Sequence, residues 1–130
     1  TPHLGEMARL CKRDVKAIQN DLIATAKAFS DTYHATCVLK DFRSVINVWH
    51  GMTYLNLSGN HGMATAGSGD VLSGIIGSLL GQGCSAENAA ALGAYIHGLA
   101  GNQALQETGF RGMIAEDIIN GLNGLWKRES

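Results

Sequence analysis

The chain has 130 residues, 45% of them hydrophobic and 16% charged, with a formal net charge of −1. That length fits about one domain, with too much apolar content for a disordered segment and enough for a real core. The near-zero charge excludes the broad basic field of a duplex nucleic-acid binder. No apolar run reaches the ~18 residues of a membrane span.

Pro2 sets φ at the start, and Leu4, Met7, Ala8 and Leu10 predict a first helix. Asp14 stands as the cap of a second, with Val15, Ile18, Leu22, Ile23, Ala26 and Phe29 on one face and a close at Ser30-Asp31. Residues 36–39 read as a short buried strand. Residues 43–48 and 52–57 read as two more, joined at His50-Gly51. A loop over 58–62 leads into a helix carrying Val71, Leu72, Ile75, Ile76, Leu79 and Leu80. Gly81-Gln82-Gly83 ends it. Ser85 then caps an Ala-rich helix over 89–104, with Glu87 near its start. Ile114, Ile118, Ile119 and Leu122 mark a last helix over 113–125. This order predicts a mixed α/β fold with the strands inside and three helices after them. There are too few strands for a complete doubly wound sheet.

Cys11, Cys37 and Cys84 are odd in number and form no CxxC pair, so structural thiols in a reducing, cytoplasmic setting are expected. The first residues carry neither the charged nor the apolar region of a secretory leader. His3, His34, His50, His61 and His97 show no metal spacing, and His97 on its Ala-rich helix reads as a satisfied core histidine. Trp49 and Trp126 read as packing residues.

Of 17 glycines, only Gly5 and Gly51 precede Gly59, so close backbone approach is concentrated in the second half. The chemistry centres on residues 60–70, Asn-His-Gly-Met-Ala-Thr-Ala-Gly-Ser-Gly-Asp. Gly67, Ser68 and Gly69 can turn several N–H groups one way, and the helix that follows adds unpaired N–H groups and its positive dipole end. That arrangement suits a phosphate oxygen. Asp70, held ionised at the rim, would repel a phosphate unless it has a task. It could accept a hydroxyl proton or hold Mg²⁺. On the residues alone, a plain helix cap on turning glycines stays an open alternative. No glycine precedes a lysine, so there is no P-loop. Gly81-Gln-Gly83-Cys-Ser-Ala86 follows a helix where a dinucleotide fingerprint needs a strand.

Thr1-Pro-His-Leu-Gly-Glu-Met-Ala-Arg-Leu10, Val38-Leu-Lys40, residues 59–74 and His97-Gly-Leu-Ala-Gly101 resemble the ADP/ATP-dependent NAD(P)H-hydrate dehydratases. These are carbohydrate-kinase-like repair enzymes of the ribokinase-like superfamily, and the likeness covers essentially the whole chain. Gly-Ser-Gly-Asp alone indicates the superfamily; together with Thr-Pro-His-x-Gly-Glu it points to the dehydratases. The resemblance implies dehydration of the S epimer of hydrated NADH or NADPH. ADP or ATP phosphorylates the ring hydroxyl, elimination restores the dihydropyridine, and Mg²⁺ arrives with the nucleotide. It implies that Asp70 contacts the hydrated nicotinamide as the base and that His3 touches the same cofactor. Gly67, Ser68 and Gly69 then lie against the nucleotide phosphates. Lys40, Asp41, Phe42, Arg43 and Ser44 stand where the family has a Lys-Gly-x-x-Thr stretch along the nucleotide. Asn60 and Thr65 are further candidate site residues.

Three departures matter. Asp41 replaces the family's Gly and should repel a nucleotide phosphate by about 1 kcal/mol. His61 and Leu4 stand where Pro is usual. Family members are much longer, with Thr-Pro-His-x-Gly-Glu mid-chain, so residues 1–130 read as the C-terminal half of one ribokinase-like domain. Association with the missing N-terminal half or with a second copy is therefore expected, and little or no activity from the chain alone. Two other functions fit less of the pattern. One is a small-molecule kinase of the superfamily acting on a vitamin precursor or a sugar; the other is a non-catalytic remnant serving as an assembly module.

Overall fold

In the computed structural model, which describes residues 1–127, local caps set most helix starts. Helix α1 (Leu4–Cys11) begins where His3 and Glu6 cap each other reciprocally. The single helix expected after Asp14 is two, α2 (Val15–Gln19) and α3 (Leu22–Tyr33). Asp14 makes no side-chain cap bond, whereas Asp21 leaves helical geometry and accepts the Ala24 N–H at 3.3 Å. The turn between them still lets Ile18 and Ala26, both fully buried, enter one core.

Strands β1 (Cys37–Leu39), β2 (Val45–Asn47) and β3 (Thr53–Leu55) form an antiparallel sheet in that order, with Val38 opposite Ile46 and Ile46 opposite Tyr54. The period of two sends Cys37, Leu39 and Val45 to one face and Val38 and Ile46 to the other. The first face packs on Met7, Ile18 and Ala26 from α1–α3. The second packs on Leu72, Ala90 and Ala94, from the helices α4 (Ser68–Gly81) and α5 (Ala86–Gly112). Strands β1 and β2 are buried throughout, and β3 is the half-exposed edge. The strands thus lie between two helical layers, as the element order predicts.

Ser85 accepts the Asn88 N–H at 3.1 Å and caps α5. Ser85→Ala should cost about 1 kcal/mol, read from the urea midpoint at unchanged slope. Helix α5 continues past 104, with Gly109 at φ 69° marking a kink. Helix α6 (Ala115–Trp126) then folds back, and Met113 and Ile118 join Ala100 and Ala104 in a third cluster. Trp49 and Trp126 are 40% and 52% exposed, contrary to their reading as packing residues. Trp49 instead stacks on His34 at 4.7 Å on the surface. Cys37 is buried, which pushes its thiol up to about 11. Cys37 should therefore resist alkylation at neutral pH until the chain unfolds, as intact mass would report. No helix among the described residues is long and apolar enough to cross a membrane.

Candidate functional site

The residues before α1, the end of β1 and the start of α4 meet at one place. The Lys40 N–H donates to the Pro2 carbonyl at 2.8 Å, and His3 pairs with Lys40 in parallel register. Thr1 Oγ1 lies 3.0 Å from Ser73 Oγ, and Ser73 shares a helix face with Asp70. These ties bound an open cleft of about 390 Å³ lined by His3, Glu6, Lys40, Gly67, Gly69 and Asp70, together with Thr1, Thr65, Ala66 and Ser73.

Gly67, at φ 85°, turns the chain into α4 in a region that glycine adopts without strain. The Ser68 N–H bonds to the Thr65 carbonyl at 3.2 Å. The N–H groups of Gly69 and Asp70 have no acceptor among the described residues. The Lys40 ammonium sits over the same turn: a Cβ added at Gly69 would lie 2.8 Å from its Nζ. Free N–H groups, the helix dipole and an ammonium converge there and favour an anion.

Asp70 lies in the first turn of α4, whose N-cap is Gly67 without any side-chain cap bond. It is therefore not the helix cap. Its carboxylate is exposed and has no hydrogen-bond or ion-pair partner among the described residues. A carboxylate in that position can take a proton from a bound ligand without first breaking a protein contact.

Across the cleft, the His3 N–H donates to Glu6 Oε2 at 2.8 Å, and the Glu6 N–H donates to His3 Nδ1 at 3.2 Å. Nδ1 is thus an acceptor, and Nε2 lies 3.6 Å from Glu6 Oε1. The His3 backbone N–H holds the Glu6 carboxyl below its usual value, with smaller help from the His3, Lys40 and Arg9 charges. Both ring nitrogens of His3 thus lie toward Glu6.

Ser68 does not line the cleft. It is 7% exposed, and its Oγ lies 3.3 Å from His97 Nε2 on α5. Burial pushes the His97 imidazole below its ordinary value; Ser68 opposes this and Lys40 adds to it. The ring is therefore neutral near pH 7, in keeping with a satisfied interior histidine.

Asp41, Phe42, Arg43 and Ser44 form the bend after β1, outside the cleft lining. Phe42 stacks on His61 at 4.9 Å, and the Arg43 guanidinium lies 5.9 Å from the Phe42 ring centre. Asn60 is also outside. Its Oδ1 accepts the Gly62 N–H at 3.0 Å, and its Nδ2 donates to Asn102 Oδ1 at 3.1 Å, so it braces the turn at 61–63. The lining residues absent from the sequence-based candidates are Thr1, Glu6, Ala66 and Ser73. Glu6 and Thr1 were signalled by their place in the Thr-Pro-His-x-Gly-Glu block. Ser73 was signalled by its position three residues after Asp70.

A carbohydrate-kinase family model described as NAD(P)H-hydrate dehydratase matches residues 1–123. A bifunctional NAD(P)H-hydrate repair enzyme of Moorella thermoacetica is 49% identical over 120 residues, 92% of this chain and 23% of that protein. An ADP-dependent (S)-NAD(P)H-hydrate dehydratase of Neisseria meningitidis is 43% identical over 119 residues, 91% of this chain and 40% of its own. The ADP/ATP-dependent NAD(P)H-hydrate dehydratase of Bacillus subtilis, co-crystallised with ATP and Mg²⁺, superposes with a TM-score of 0.92 at 29% identity. That match covers 99% of this chain and 47% of the Bacillus chain. A ribokinase-like superfamily protein of Enterococcus faecalis superposes at 0.78 with 31% identity, over 99% of this chain and 43% of that one. The chain spans less than half the length of each of these relatives. With the family model matched nearly end to end, the chain belongs to the NAD(P)H-hydrate dehydratase family.

Proposed function

We propose that this chain is the nucleotide- and base-bearing part of an enzyme that dehydrates the S epimer of hydrated NADH or NADPH, driven by ADP or ATP. The observation that carries this reading is Asp70: an unpartnered carboxylate in one cleft with Lys40 and the free N–H groups of its own helix turn. The terminal phosphoryl group of the nucleotide lies against the Gly69 and Asp70 N–H groups and the Lys40 ammonium, which favour the charge spread over its oxygens. Gly67 and Ser68 shape that turn. Asp70 accepts the proton of the ring hydroxyl as the hydroxyl oxygen attacks the terminal phosphorus, and the P–O bond to the rest of the nucleotide breaks to release AMP from ADP or ADP from ATP. The C–O bond to phosphate then breaks, the departing phosphate takes the proton from the neighbouring carbon, and that C–H electron pair restores the ring double bond. His3 contacts the hydrated nicotinamide, and residues 40–44 run along the nucleotide. Asp41 is the one charge there that disfavours it.

Mg²⁺ is commonly held by one or two carboxylates together with substrate phosphates. The cleft offers Asp70 and Glu6, and no group of three or more His, Cys, Asp or Glu able to hold a metal occurs among the described residues. That donor set fits an ion carried in by the nucleotide, with Asp70 and Glu6 in reach of it. When bound, it screens the phosphate charge. The remainder of the relatives' length completes the cofactor side, supplied in the same polypeptide or by an associating half. Three free thiols suit a reducing, cytoplasmic setting.

Calorimetric titration of the chain with ADP and Mg²⁺ should give a one-site isotherm. Lys40→Ala should weaken it about ten- to a hundredfold, the worth of a charge-assisted contact. No heat with either ADP or ATP would leave only an assembly module. In the intact protein, hydrated NADH with ADP should regain the reduced-nicotinamide absorbance. Phosphorylation of a vitamin precursor or a sugar instead would mark a kinase.

A further inference from the structure

Behind the anion-ready turn stands a histidine that no step above uses. His97 lies midway along α5, half-buried, where the helix is lined with small residues that admit close neighbours. Its Nε2 is 3.3 Å from the hydroxyl of Ser68, the buried first residue of α4. The N-cap Gly67 has no side chain with which to hold the turn, and the Gly69 and Asp70 N–H groups are free. Val71 and Leu72 anchor the start of α4 by apolar packing, and the Ser68–His97 contact is the side-chain hydrogen bond that joins its first turn to α5. Lys40, across the turn, is the charged side chain that acts on the ring.

We propose that His97 is a positioning residue of the site: through Ser68 it orients the first turn of α4 so that the Gly69 and Asp70 N–H groups and the Asp70 carboxylate face the cleft opposite Lys40. This rests on the reading of the cleft as a phosphate site. A neutral imidazole nitrogen exchanges one hydrogen bond with a hydroxyl. A protonated ring can only donate, and it adds a second positive charge near Lys40. The turn is thus coupled to the state of the ring, although the ring never touches a ligand.

The test uses the isotope-labelled 130-residue chain with two readouts, amide resonances against pH and ADP–Mg²⁺ affinity. The Gly69 and Asp70 amides should shift along the same titration curve as the His97 ring. His97→Gln keeps a hydrogen-bonding group, so it should abolish that shift while holding ADP affinity within about threefold. His97→Leu should weaken ADP binding roughly three- to tenfold, the range of one hydrogen bond. Ser68→Ala, which removes only a hydroxyl, should weaken it as much, and the double variant no further. Amides that ignore the ring titration would overturn the proposal. So would additive losses in the double variant, or a His97→Gln chain as weak as His97→Leu. Should the wild-type chain bind no ADP, the phosphate reading fails on its own, and the amide titration still decides the role of His97. Should His97→Leu not fold, Ser68→Ala carries the affinity arm.

Discussion

Asp70→Asn should lower dehydration by the intact protein about a hundredfold or more, the typical worth of a positioned general base. Nucleotide affinity should stay the same or tighten. The reasoning is local. The Asp70 carboxylate is exposed and makes no hydrogen bond or ion pair among the described residues, so its amide isostere breaks neither. What disappears is the capacity to take a proton and one negative charge beside the phosphates. A fall in kcat with unchanged or lower KM for ADP is the expected signature, measured by recovery of the reduced-nicotinamide absorbance. An Asp70→Asn enzyme with full turnover would remove Asp70 from the chemistry. A loss confined to KM would make it a binding residue only.

Gly121→Val should destabilise the chain by about 3 kcal/mol, near the upper end for overpacking. Helices α5 and α6 are in closest contact where Gly121 faces Ala100. A Cβ at 121 would collide with the Ala100 carbonyl oxygen and lie 2.9 Å from its carbonyl carbon and 3.2 Å from its Cα. Those are backbone atoms and cannot rotate away, so the helices must part and open the cluster of Ala100, Ala104, Met113 and Ile118. Thermal unfolding should show a drop on the order of 10 °C. Gly77→Ala is the matched control, because nothing lies within 4 Å of the added methyl. Alanine's better helix propensity should leave that variant equal or more stable by up to about 1 kcal/mol. Equal midpoints for Gly121→Val and wild type would show that this crossing is not tight.

Much of the fold was legible because its signals are local. The Ser85 cap and the short apolar run at 36–39 depend on neighbours a few residues away. The break before Asp21 was not legible, because Ile18, Leu22 and Ala26 keep helical phase across it. The surface position of Trp49 was not legible either. Burial depends on which other element arrives, and Trp49 meets the rings of His34 and its neighbour His50 while staying 40% exposed.

The site divides along the same line. The run from Asn60 to Asp70 suggests an anion site and a base by residue type and order, whereas Thr-Pro-His-x-Gly-Glu enters the site only through the family resemblance. Which of their members face the ligand cannot be read without coordinates. Ser68 meets a histidine 29 residues away, and Asn60 is tied to an asparagine 42 residues away. Glu6 and Lys40 come into one cleft with Asp70 only when the chain start lies along the end of β1. Backbone turns and caps are settled by interactions a few bonds apart. The facing of a side chain is settled by competition among partners that only the packed chain brings within reach.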